Sequence, residues 1–394
     1  MQELTKMSDK KPKSLLVTPD FPNASGGISI ILYNIAKNLP PESIVVLAPR
    51  HFKDKDFDEN SNFKIYRGNF YFEGKSFISQ ILNSIFLLFL TLKITLKEKI
   101  DIIQCGVPLP ISFVAFIVKI ILGKPYVVYT YAMDVIRPQR SWLRVKILRI
   151  GLKNADTVFT ISEYTKGKLL ELGIPLRKIV KIPIGVDYGT FNPNINSKKI
   201  EEKYNLKNKK VILTVGRLVR RKGQDKVIKV MPHVLEKVSN VVYIIIGEGE
   251  DKSRLKNLVE ELKLGDRVIF TGYIPNKELP CYYNACDVFI MPSREIPEEG
   301  DAEGFGIVYL EANACGKPVI GGKSGGIPDA IMDGKTGLLV DPHSEEEIAQ
   351  ALIKLLSDED YAQKLGQNGL DRVRKELTWE KTAKQVTNEI EDLR

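Results

Sequence analysis

The chain has 394 residues, which predicts two domains of ordinary size, and its 43% hydrophobic residues are enough for each domain to bury a core. The 29 glycines and 21 prolines are scattered without a fixed period, which excludes a collagenous, repeat or disordered protein. The net charge of +9 is uneven: residues 1–190 carry 27 Lys and Arg against 16 Asp and Glu, and the remaining residues carry 31 against 33. A basic first half indicates a domain that faces an anionic partner.

Short apolar runs alternate with amphipathic stretches along the first half. After the first predicted strand comes a glycine-containing loop and a helix over Ile28–Leu39. This alternation is typical of a parallel sheet with helices on both faces. The predicted strands are Ser14–Thr18, Ile44–Ala48, Ile100–Gln104, Tyr126–Thr130 and Thr157–Ile161, the last of which closes the series.

The second half repeats the pattern after a segment rich in Gly, Pro and Asn at Ile184–Asn194, where we expect the linker. Its predicted strands are Val211–Val215, Val241–Ile246, Val268–Thr271, Val288–Met291, Pro318–Gly321 and Leu338–Val340. We therefore predict an α/β protein with two Rossmann-like domains, residues 1–187 and 188–376, whose parallel sheets face each other across a cleft. The ligand is expected at the carboxyl ends of the strands.

Cysteines, the N-terminus and one apolar stretch bear on compartment. Four cysteines are too few for a disulfide scaffold, and Cys281 and Cys286 lack the second pair of a zinc site, so a reducing cytosol is expected. The N-terminal MQELTKMSDKKPKS has no apolar region, so we expect no signal peptide. Ser76–Leu92 is uncharged but has only 17 residues and several polar ones, which favours a buried or membrane-grazing helix over a span.

Two loops have residues suited to phosphate. Gly26 and Gly27 follow the first strand and open a helix, where backbone N–H groups can approach an anion, although a plain turn is the alternative. The loop is not a GxGxxG, so a dinucleotide is not indicated. In GRLVRRKG, Arg217 and Lys222 follow the strand VILTV, and this pair suits a diphosphate unless the run is only a solvated turn.

The segment DAEGFGIVYLE supplies a pair of carboxylates. Glu303 precedes two glycines, and Glu311 lies two turns into the predicted helix. The free N–H groups of Phe305 to Val308 form a natural phosphate seat, with a carboxylate on either side to bind hydroxyls. Two glutamates on a solvated helix are the alternative.

Together with TGYIP and SGGIPDAI, these motifs resemble in order, over essentially the whole chain, the retaining glycosyltransferases of family 4, which have the GT-B fold. DFPNASGGI, ISEYT and EGFGIVYLEANACG are similar to phosphatidylinositol mannosyltransferases and related lipid-directed enzymes. The resemblance implies a last helix within 377–394 that crosses back onto the N-terminal domain. It also implies that this domain takes the acceptor and the other domain the donor, without a cofactor.

The resemblance also implies roles for single residues. Arg217 and Lys222 would neutralise the departing diphosphate, Glu303 would hold hydroxyls of the donor sugar, and Glu311 those of the ribose. No protein nucleophile is needed, because the departing phosphate itself takes the proton of the acceptor on the same face, and charge stabilisation is the main catalytic contribution. The remaining donor-binding residues are Gly26, Gly27, Gly216, Gly272, Tyr273, Ile274, Phe305, Gly306, Ile307 and Val308.

One position departs from the family, which usually has a pattern like HG-x-[ED] where this chain has Tyr131-Ala132-Met133-Asp134. We expect Tyr131 to act as a hydrogen-bonding group at the catalytic position, since a phenol is no proton shuttle near neutral pH. Asp134 matches the acidic member of the pattern. Asp20, in the first loop, is a further acceptor-side residue, with a turn role as the alternative.

Two charged segments bear on metal binding and on membrane contact. Asp54, Asp56 and Asp58 have DxD spacing but lie in a polar loop, so we predict no metal. Ile136–Ile150 interleaves five basic residues with Trp142, which suits an anionic membrane surface or an ordinary helix with a basic solvent face. No nucleic-acid motif accompanies it.

The sequence thus predicts a retaining hexosyltransferase that moves a hexose from GDP-mannose or a UDP-sugar to a lipid or glycan acceptor. It would be cytoplasmic and peripheral on the inner face of the cell membrane. The alternatives are a non-catalytic subunit that binds sugar nucleotides, and another enzyme on the same scaffold such as an epimerase or phosphorylase.

Overall fold

The computed structural model describes residues 11–22, 26–51, 54–72 and 77–393, and within them the strands form two parallel sheets. The predicted α/β fold with two parallel-sheet domains is confirmed. Residues 1–10, on which the signal-peptide prediction rests, and Ser25 of the glycine loop lie outside the described residues, as does Ser76.

The first sheet contains, in the described part of the chain, seven strands: β1 Ser14–Val17, β2 Ile44–Pro49, β3 Lys64–Gly68, β4 Ile102–Cys105, β5 Tyr126–Thr130, β6 Thr157–Thr160 and β7 Ile179–Lys181. Their order is β3-β2-β1-β4-β5-β6-β7. The prediction that Thr157–Ile161 closes the series is wrong, and β3 was also missed. Both missed strands lie at sheet edges, where KIYRG and IVK bury too little to leave an apolar run in the sequence.

The second sheet contains six strands among the described residues, and each overlaps a predicted strand: β8 Lys210–Val215, β9 Val241–Ile246, β10 Val268–Gly272, β11 Val288–Met291, β12 Val319–Gly322 and β13 Gly337–Val340. The order is β10-β9-β8-β11-β12-β13. The change of direction between β8 and β11 places the carboxyl end of β8 beside the crevice at which such sheets bind ligands.

Helices cover both faces of each sheet. In the first domain they are α1 Gly27–Asn38, α2 Asp54–Glu59, α3 Phe77–Glu98, α4 Ile111–Leu122, α5 Met133–Ile136, α6 Trp142–Asn154 and α7 Glu163–Glu171. Those that follow are α8 Lys198–Lys203, α9 Gln224–Lys237, α10 Lys252–Glu261, α11 Leu279–Ala285, α12 Ile307–Ala314, α13 Ile327–Ala330, α14 Glu345–Ser357, α15 Glu359–Glu376 and α16 Trp379–Glu391.

The central strands are buried on both faces, as expected for parallel sheets between helix layers. One apolar cluster runs from the first sheet through Leu15 and Val127 to one face of the second sheet at Leu213. A separate cluster around Ile212 and Tyr243 fills the other face of the second sheet. The core of the first domain is thus continuous with half the core of the second.

The final helix, α16, packs on α1 of the first domain. The Thr382 hydroxyl donates to the Pro183 carbonyl at 2.9 Å, and Gln385 donates to the Lys181 carbonyl at 3.0 Å. Val186 forms a β-bridge with Thr378, so the two segments that connect the domains lie side by side. The boundary at residue 187 stays a prediction.

The apolar helix α3 is not a buried core helix. Leu87 and Ile94 are buried against the domain, but only 22% of the most apolar window of α3 is buried. In the described part of the chain, Ile78–Glu98 is the one helix long and apolar enough to cross a bilayer. Its exposed large apolar side chains are Ile78, Ile81, Leu82, Ile85, Phe86, Phe89 and Leu96.

Candidate functional site

The loops that carry the predicted site residues meet between the domains. A Cβ added to Gly304, ahead of α12, would lie 2.3 Å from the Tyr131 carbonyl oxygen after β5. A Cβ on Gly27, at the start of α1, would lie 4.0 Å from the Ile307 side chain. The first domain therefore contacts the second through its β1 and β5 loops, opposite the start of α12.

Among the described residues, no side chain caps the two helices that begin at this interface. α1 starts after Gly26 and α12 after Gly306, and in that part of the chain neither helix has a side-chain cap or an acidic residue in its first turn. Gly306 has φ 89°, a conformation that glycine adopts without strain. The free N–H groups of two neighbouring helix starts, together with their dipoles, suit a phosphate, and Ile307 and Val308 belong to this seat.

A buried cluster of charges lies at the carboxyl end of β8. Lys222 Nζ lies 2.6 Å from Glu303 Oε2, and Arg221 contacts the same carboxylate oxygen. Arg221 Nε also lies 3.1 Å from Asp301 Oδ1. A Cβ on Gly216 would lie 3.6 Å from Lys222 Cε, an ordinary contact distance, so Gly216 is next to the lysine stem.

The cluster holds Glu303 ionised. Burial raises the pKa of Glu303, but the charges of Lys222 and Arg221 outweigh burial and bring the pKa to about 2. Burial lowers the pKa of Lys222, and Glu303 opposes that effect. The predicted partner Arg217 lies apart from this cluster, since its side chain is exposed and pairs with no carboxylate among the described residues.

Sequence reasoning missed Arg221 and Asp301. Arg221 is only 4% exposed, although it stands in a run of three cations that usually indicates a solvated turn. Residues Arg220–Lys222 form a 3₁₀ turn, which directs successive side chains to different sides. The one available signal in the sequence was that the GDAEG segment contains acidic residues that could pair with those cations.

Glu311 does not join Glu303. It lies on the buried side of α12, where the Tyr283 hydroxyl donates to Glu311 Oε2 at 2.7 Å. Burial raises the pKa of Glu311 to about 7, against the lowering effect of that hydrogen bond. Phe305 also packs its side chain into the core, so only its backbone can face a donor.

Three glycine loops at the carboxyl ends of β8, β9 and β10 stack on one another. Gly247 N donates to the Gly272 carbonyl at 2.9 Å, and a Cβ on Gly247 would lie 2.0 Å from the Gly216 carbonyl oxygen. Next to them, Tyr273 is 71% exposed and Ile274 half-buried. Tyr273 therefore offers an exposed aromatic side chain beside the stacked glycines, where the base pocket was predicted.

On the first-domain side, Tyr131 is 6% exposed and its hydroxyl has no hydrogen-bond partner within the described residues. Asp134 accepts the Tyr131 N–H at 2.9 and 3.1 Å through its two oxygens. Burial raises the pKa of Asp134 to about 7 despite these bonds, and Asp20 raises it further. Burial likewise raises the pKa of Tyr131, helped by Asp134 and Asp20, so the phenol stays protonated.

Ala132 stands where the family pattern has glycine, and it has φ 88° and ψ −72°. These angles are close to those of a strained γ-turn that L-residues rarely adopt. Ala132 is fully buried beside the interface between the domains. Ala132 therefore has a turn conformation that suits glycine, and its backbone is strained.

The DxD segment forms the short helix α2 instead of the predicted loop, and Asp54 and Asp58 face Arg67 of β3. Arg67 Nη2 lies 2.7 Å from Asp58 Oδ1, and Nη1 lies 3.6 Å from Asp54 Oδ2. This pairing accounts for two of the three aspartates. Within the described ranges, no group of three or more His, Cys, Asp and Glu side chains is placed to hold a metal.

Models of known families match both halves of the chain. Residues 25–189 match the model described as "Glycosyltransferase Family 4", and residues 196–372 match "Glycosyl transferases group 1". A GDP-mannose-dependent alpha-(1-6)-phosphatidylinositol monomannoside mannosyltransferase of Mycolicibacterium smegmatis is 32% identical over 90% of this chain and 92% of its own. A GDP-mannose-dependent monoacylated alpha-(1-6)-phosphatidylinositol monomannoside mannosyltransferase of Corynebacterium glutamicum is 30% identical over 95% and 97%.

Solved structures show the same fold. HepE of Anabaena in complex with UDP superimposes with a TM-score of 0.80 at 19% identity, covering 96% of this chain and 100% of that one. WaaG, a glycosyltransferase involved in lipopolysaccharide biosynthesis, superimposes with a TM-score of 0.70 at 16% identity over 96% and 99%. From the two family matches and the identity to the mannosyltransferases, we conclude that the chain belongs to the family 4 glycosyltransferases with the GT-B fold.

Proposed function

We propose that the protein is a retaining mannosyltransferase that takes mannose from GDP-mannose and transfers it to a lipid acceptor at a membrane surface. The observation that carries the proposal is the buried Lys222–Glu303 pair beside the uncapped start of α12. A cation and free N–H groups suit a diphosphate, and a carboxylate held ionised suits sugar hydroxyls. The choice of GDP-mannose rests on the names of the relatives that are about 30% identical.

In this proposal the donor diphosphate lies between Lys222 and the N–H groups of Ile307 and Val308. Arg217, which is exposed at the same strand end, would fold onto the outer phosphate. As the bond to the sugar breaks, negative charge grows on the diphosphate, and these groups stabilise it without rearrangement. The diphosphate oxygen takes the acceptor proton on the face from which it leaves, which retains the anomeric configuration.

Binding of the donor requires an exchange of partners at Lys222. The ammonium now pairs with Glu303, and a phosphate would compete for the same charge. Glu303 would turn toward the sugar hydroxyls while Arg221 keeps its charge balanced. We assign the guanine pocket to Gly272–Ile274 and the ribose hydroxyls to Glu311, once it releases Tyr283.

On the acceptor side, Tyr131 would donate its hydroxyl, which has no partner in the described part of the chain, to the sugar or the acceptor. Burial keeps the phenol protonated, which suits a donor of a hydrogen bond and excludes a role as a base near neutral pH. Asp134 holds the loop through the Tyr131 N–H, so we assign it to positioning as well as to the acceptor side. Asp20 stays a proposed acceptor residue.

Three adjacent helices of the first domain support a membrane-bound acceptor. α4 packs between α3 and α6, and all three expose apolar side chains, with Ile120 and Ile121 on α4 and Trp142 on α6. Beside α6 a groove of about 540 Å³ is bordered by Trp142, Val145, Lys146, Arg149, Ile150, Lys153 and Asn154. Apolar side chains flanked by cations suit an anionic bilayer, and we infer a peripheral position on its cytoplasmic face.

The donor is tested by thermal unfolding with GDP-mannose, GDP, UDP-glucose and UDP. A ligand at 100 times its Kd stabilises the folded state by about 2.7 kcal/mol, so GDP and GDP-mannose should raise Tm and the uridine compounds should not. The anomeric configuration of the product, read by NMR after incubation with a phosphatidylinositol mannoside, tests retention. A β-mannoside product would overturn the retaining assignment.

Membrane contact is tested by cosedimentation with anionic and neutral vesicles. We expect binding to the anionic vesicles to fall with salt, because charges are screened within about 10 Å at 0.1 M. Ile85→Gln with Phe89→Gln, both on the exposed face of α3, should weaken binding. Leu176→Gln, an equally exposed site outside these helices, is the matched control. Equal binding of all variants, or indifference to lipid charge, would overturn the membrane proposal.

A further inference from the structure

A line of alternating charges joins the two domains through the proposed donor site. Arg137 Nη2 of the first domain lies 3.6 Å from Asp301 Oδ1, and Arg221 Nε lies 3.1 Å from the same oxygen. Arg221 then contacts Glu303, which also binds Lys222. The line begins at a half-exposed arginine and ends at two buried groups that we assign to the donor.

The segment 295–303, which we call the acidic loop, holds both carboxylates of this line. Its ends are joined by paired backbone hydrogen bonds, Ile296 N to Asp301 O at 2.8 Å and Asp301 N to Ile296 O at 3.2 Å. A Cβ on Gly300, near the turn, would lie 3.6 Å from Arg137 Cγ. The loop is therefore a closed unit that rests against the first domain at its turn.

Both flanks of the acidic loop also contact the first domain. Tyr164 of α7 donates its hydroxyl to Glu295 Oε1 at 2.6 Å. At the other end, Gly304 packs against the Tyr131 carbonyl oxygen. Three contacts with one domain mean that the position of Glu303 depends on how closely that domain approaches.

We infer that Arg221 is a positioning residue that transmits contact between the domains, through Asp301, to the carboxylate of Glu303. This inference rests on the proposed function, in which Glu303 holds the donor sugar. Arg221 is 4% exposed and stands between two carboxylates, so its guanidinium fixes the distance between them. Arg137, half-exposed, sets only how firmly Asp301 is held.

The two arginines should therefore differ in effect. Removing a buried partner leaves Asp301 and Glu303 as neighbouring buried carboxylates, whereas a half-exposed ion pair contributes little by itself. Free GDP lacks the sugar that Glu303 would hold, so loss of Arg221 should spare GDP binding and impair reaction of GDP-mannose. A merely structural role would impair both together.

The experiment compares Arg221→Met, Arg221→Lys and Arg137→Met with Arg220→Met as the matched control, because Arg220 neighbours Arg221 but is exposed toward Glu299. For Arg221→Met we expect kcat/KM for GDP-mannose to fall about 30-fold or more, as on removal of a charged partner, with the Kd of GDP within about threefold. Arg221→Lys should recover part of the loss. Arg220→Met should behave as wild type.

Amide exchange of 295–303 in the ligand-free protein supplies a readout that needs no activity. Arg137→Met and Arg221→Met should each speed exchange there, and Arg137→Met should add nothing in the Arg221→Met background, since both act through Asp301. Effects that multiply, or exchange unchanged from that of wild type, would overturn the inference. If wild type ignores GDP-mannose while this exchange pattern holds, the proposed function fails and the linkage between the domains stands.

If Arg221→Met does not fold, the single Arg137→Met variant decides. Its half-exposed side chain can be lost without opening the core, and exchange of 295–303 must still rise relative to wild type. No rise would contradict the linkage.

Discussion

The two domains present different chemistry to their shared interface. The second domain offers charges that are already paired, with Glu303 between Lys222 and Arg221. The first offers at Tyr131 a phenol without a hydrogen-bond partner among the described residues and, farther out, helices with exposed apolar faces. Preformed charge suits the part of a reaction in which charge develops, and a phenol that stays protonated suits an acceptor hydroxyl. We therefore expect substitutions on the charged side to have larger effects than substitutions on the side of the first domain.

The largest expected effect is on the charged side. Lys222→Ala should lower turnover on the order of 100-fold or more, by loss of stabilisation of the developing diphosphate charge. Arg217→Ala should also lower turnover. It should change the Kd of GDP-mannose less than Lys222→Ala does, because the Arg217 side chain is exposed before the donor arrives. Steady-state kinetics with GDP-mannose measures the turnover of both variants, and calorimetric titration measures the Kd.

Lys229→Ala, an exposed cation of α9, is the control for charge alone. Turnover near that of wild type in the Arg217→Ala, Lys222→Ala double variant would remove the diphosphate assignment and the contrast between the two sides.

The next effect is on the pH dependence of stability at Glu311. Its folded pKa of about 7 lies above the ordinary value of 4.5, so the unfolded chain releases its proton first as pH rises. Stability is therefore lost between about pH 4.5 and pH 7, by up to about 3 kcal/mol. Glu311→Gln cannot ionise, and its free energy of unfolding should fall less than that of wild type from pH 5 to pH 8 in urea titrations.

Glu303→Gln provides the opposite case on the same domain. The folded pKa of Glu303 is about 2, so the stability it contributes is present above pH 4.5 and is lost as pH falls toward 2. If the free energy of unfolding of the two variants changes with pH in the same way, Glu303 and Glu311 do not have the different environments that the structure shows.

A smaller effect is expected at Tyr131. Loss of one uncharged hydrogen bond costs about 0.5–1.5 kcal/mol, so Tyr131→Phe should slow turnover about two- to tenfold. Its Tm should not fall, because the hydroxyl has no partner among the described residues. Tyr131→His should keep measurable turnover, and Tyr131→Ala should lose more than Tyr131→Phe.

Tyr129→Phe is the matched control, since its hydroxyl donates to Gln104 Oε1 at 2.6 Å inside the core. That variant should lose stability and keep its turnover per folded molecule. If Tyr131→Phe behaves as Tyr129→Phe does, Tyr131 is a core residue and the first domain contributes no hydroxyl to the site.

The smallest effect is at the strained turn. Ala132→Gly should stabilise the protein by about 1 kcal/mol, since relief of the strained φ of 88° exceeds the added freedom of the unfolded chain. Ala155→Gly, an equally buried alanine with an ordinary φ of −60°, should destabilise it. Urea unfolding of both variants measures the difference, and a loss of stability in Ala132→Gly would contradict the strain.

Predictability from sequence also differs between the domains. The strands of the second sheet carry continuous apolar runs and were all predicted, whereas β3 and β7 bury too little at their edges to show one. Glycines mark a close backbone approach, so the starts of α1 and α12 could be predicted from the sequence, while their role as a phosphate seat stays a prediction. The partners of single charges could not, because whether Arg217 or Arg221 turns inward depends on a 3₁₀ turn and on Asp301 from a distant loop.

We propose that the paired charges of the second domain hold the diphosphate and sugar of GDP-mannose. Calorimetric titration of GDP-mannose and GDP into wild type and Glu303→Gln tests it most directly. We predict that wild type binds GDP-mannose more tightly than GDP, and that Glu303→Gln loses most of that difference, about tenfold, while still binding GDP. Equal affinity of wild type for the two ligands, or an unchanged preference in Glu303→Gln, would contradict the account.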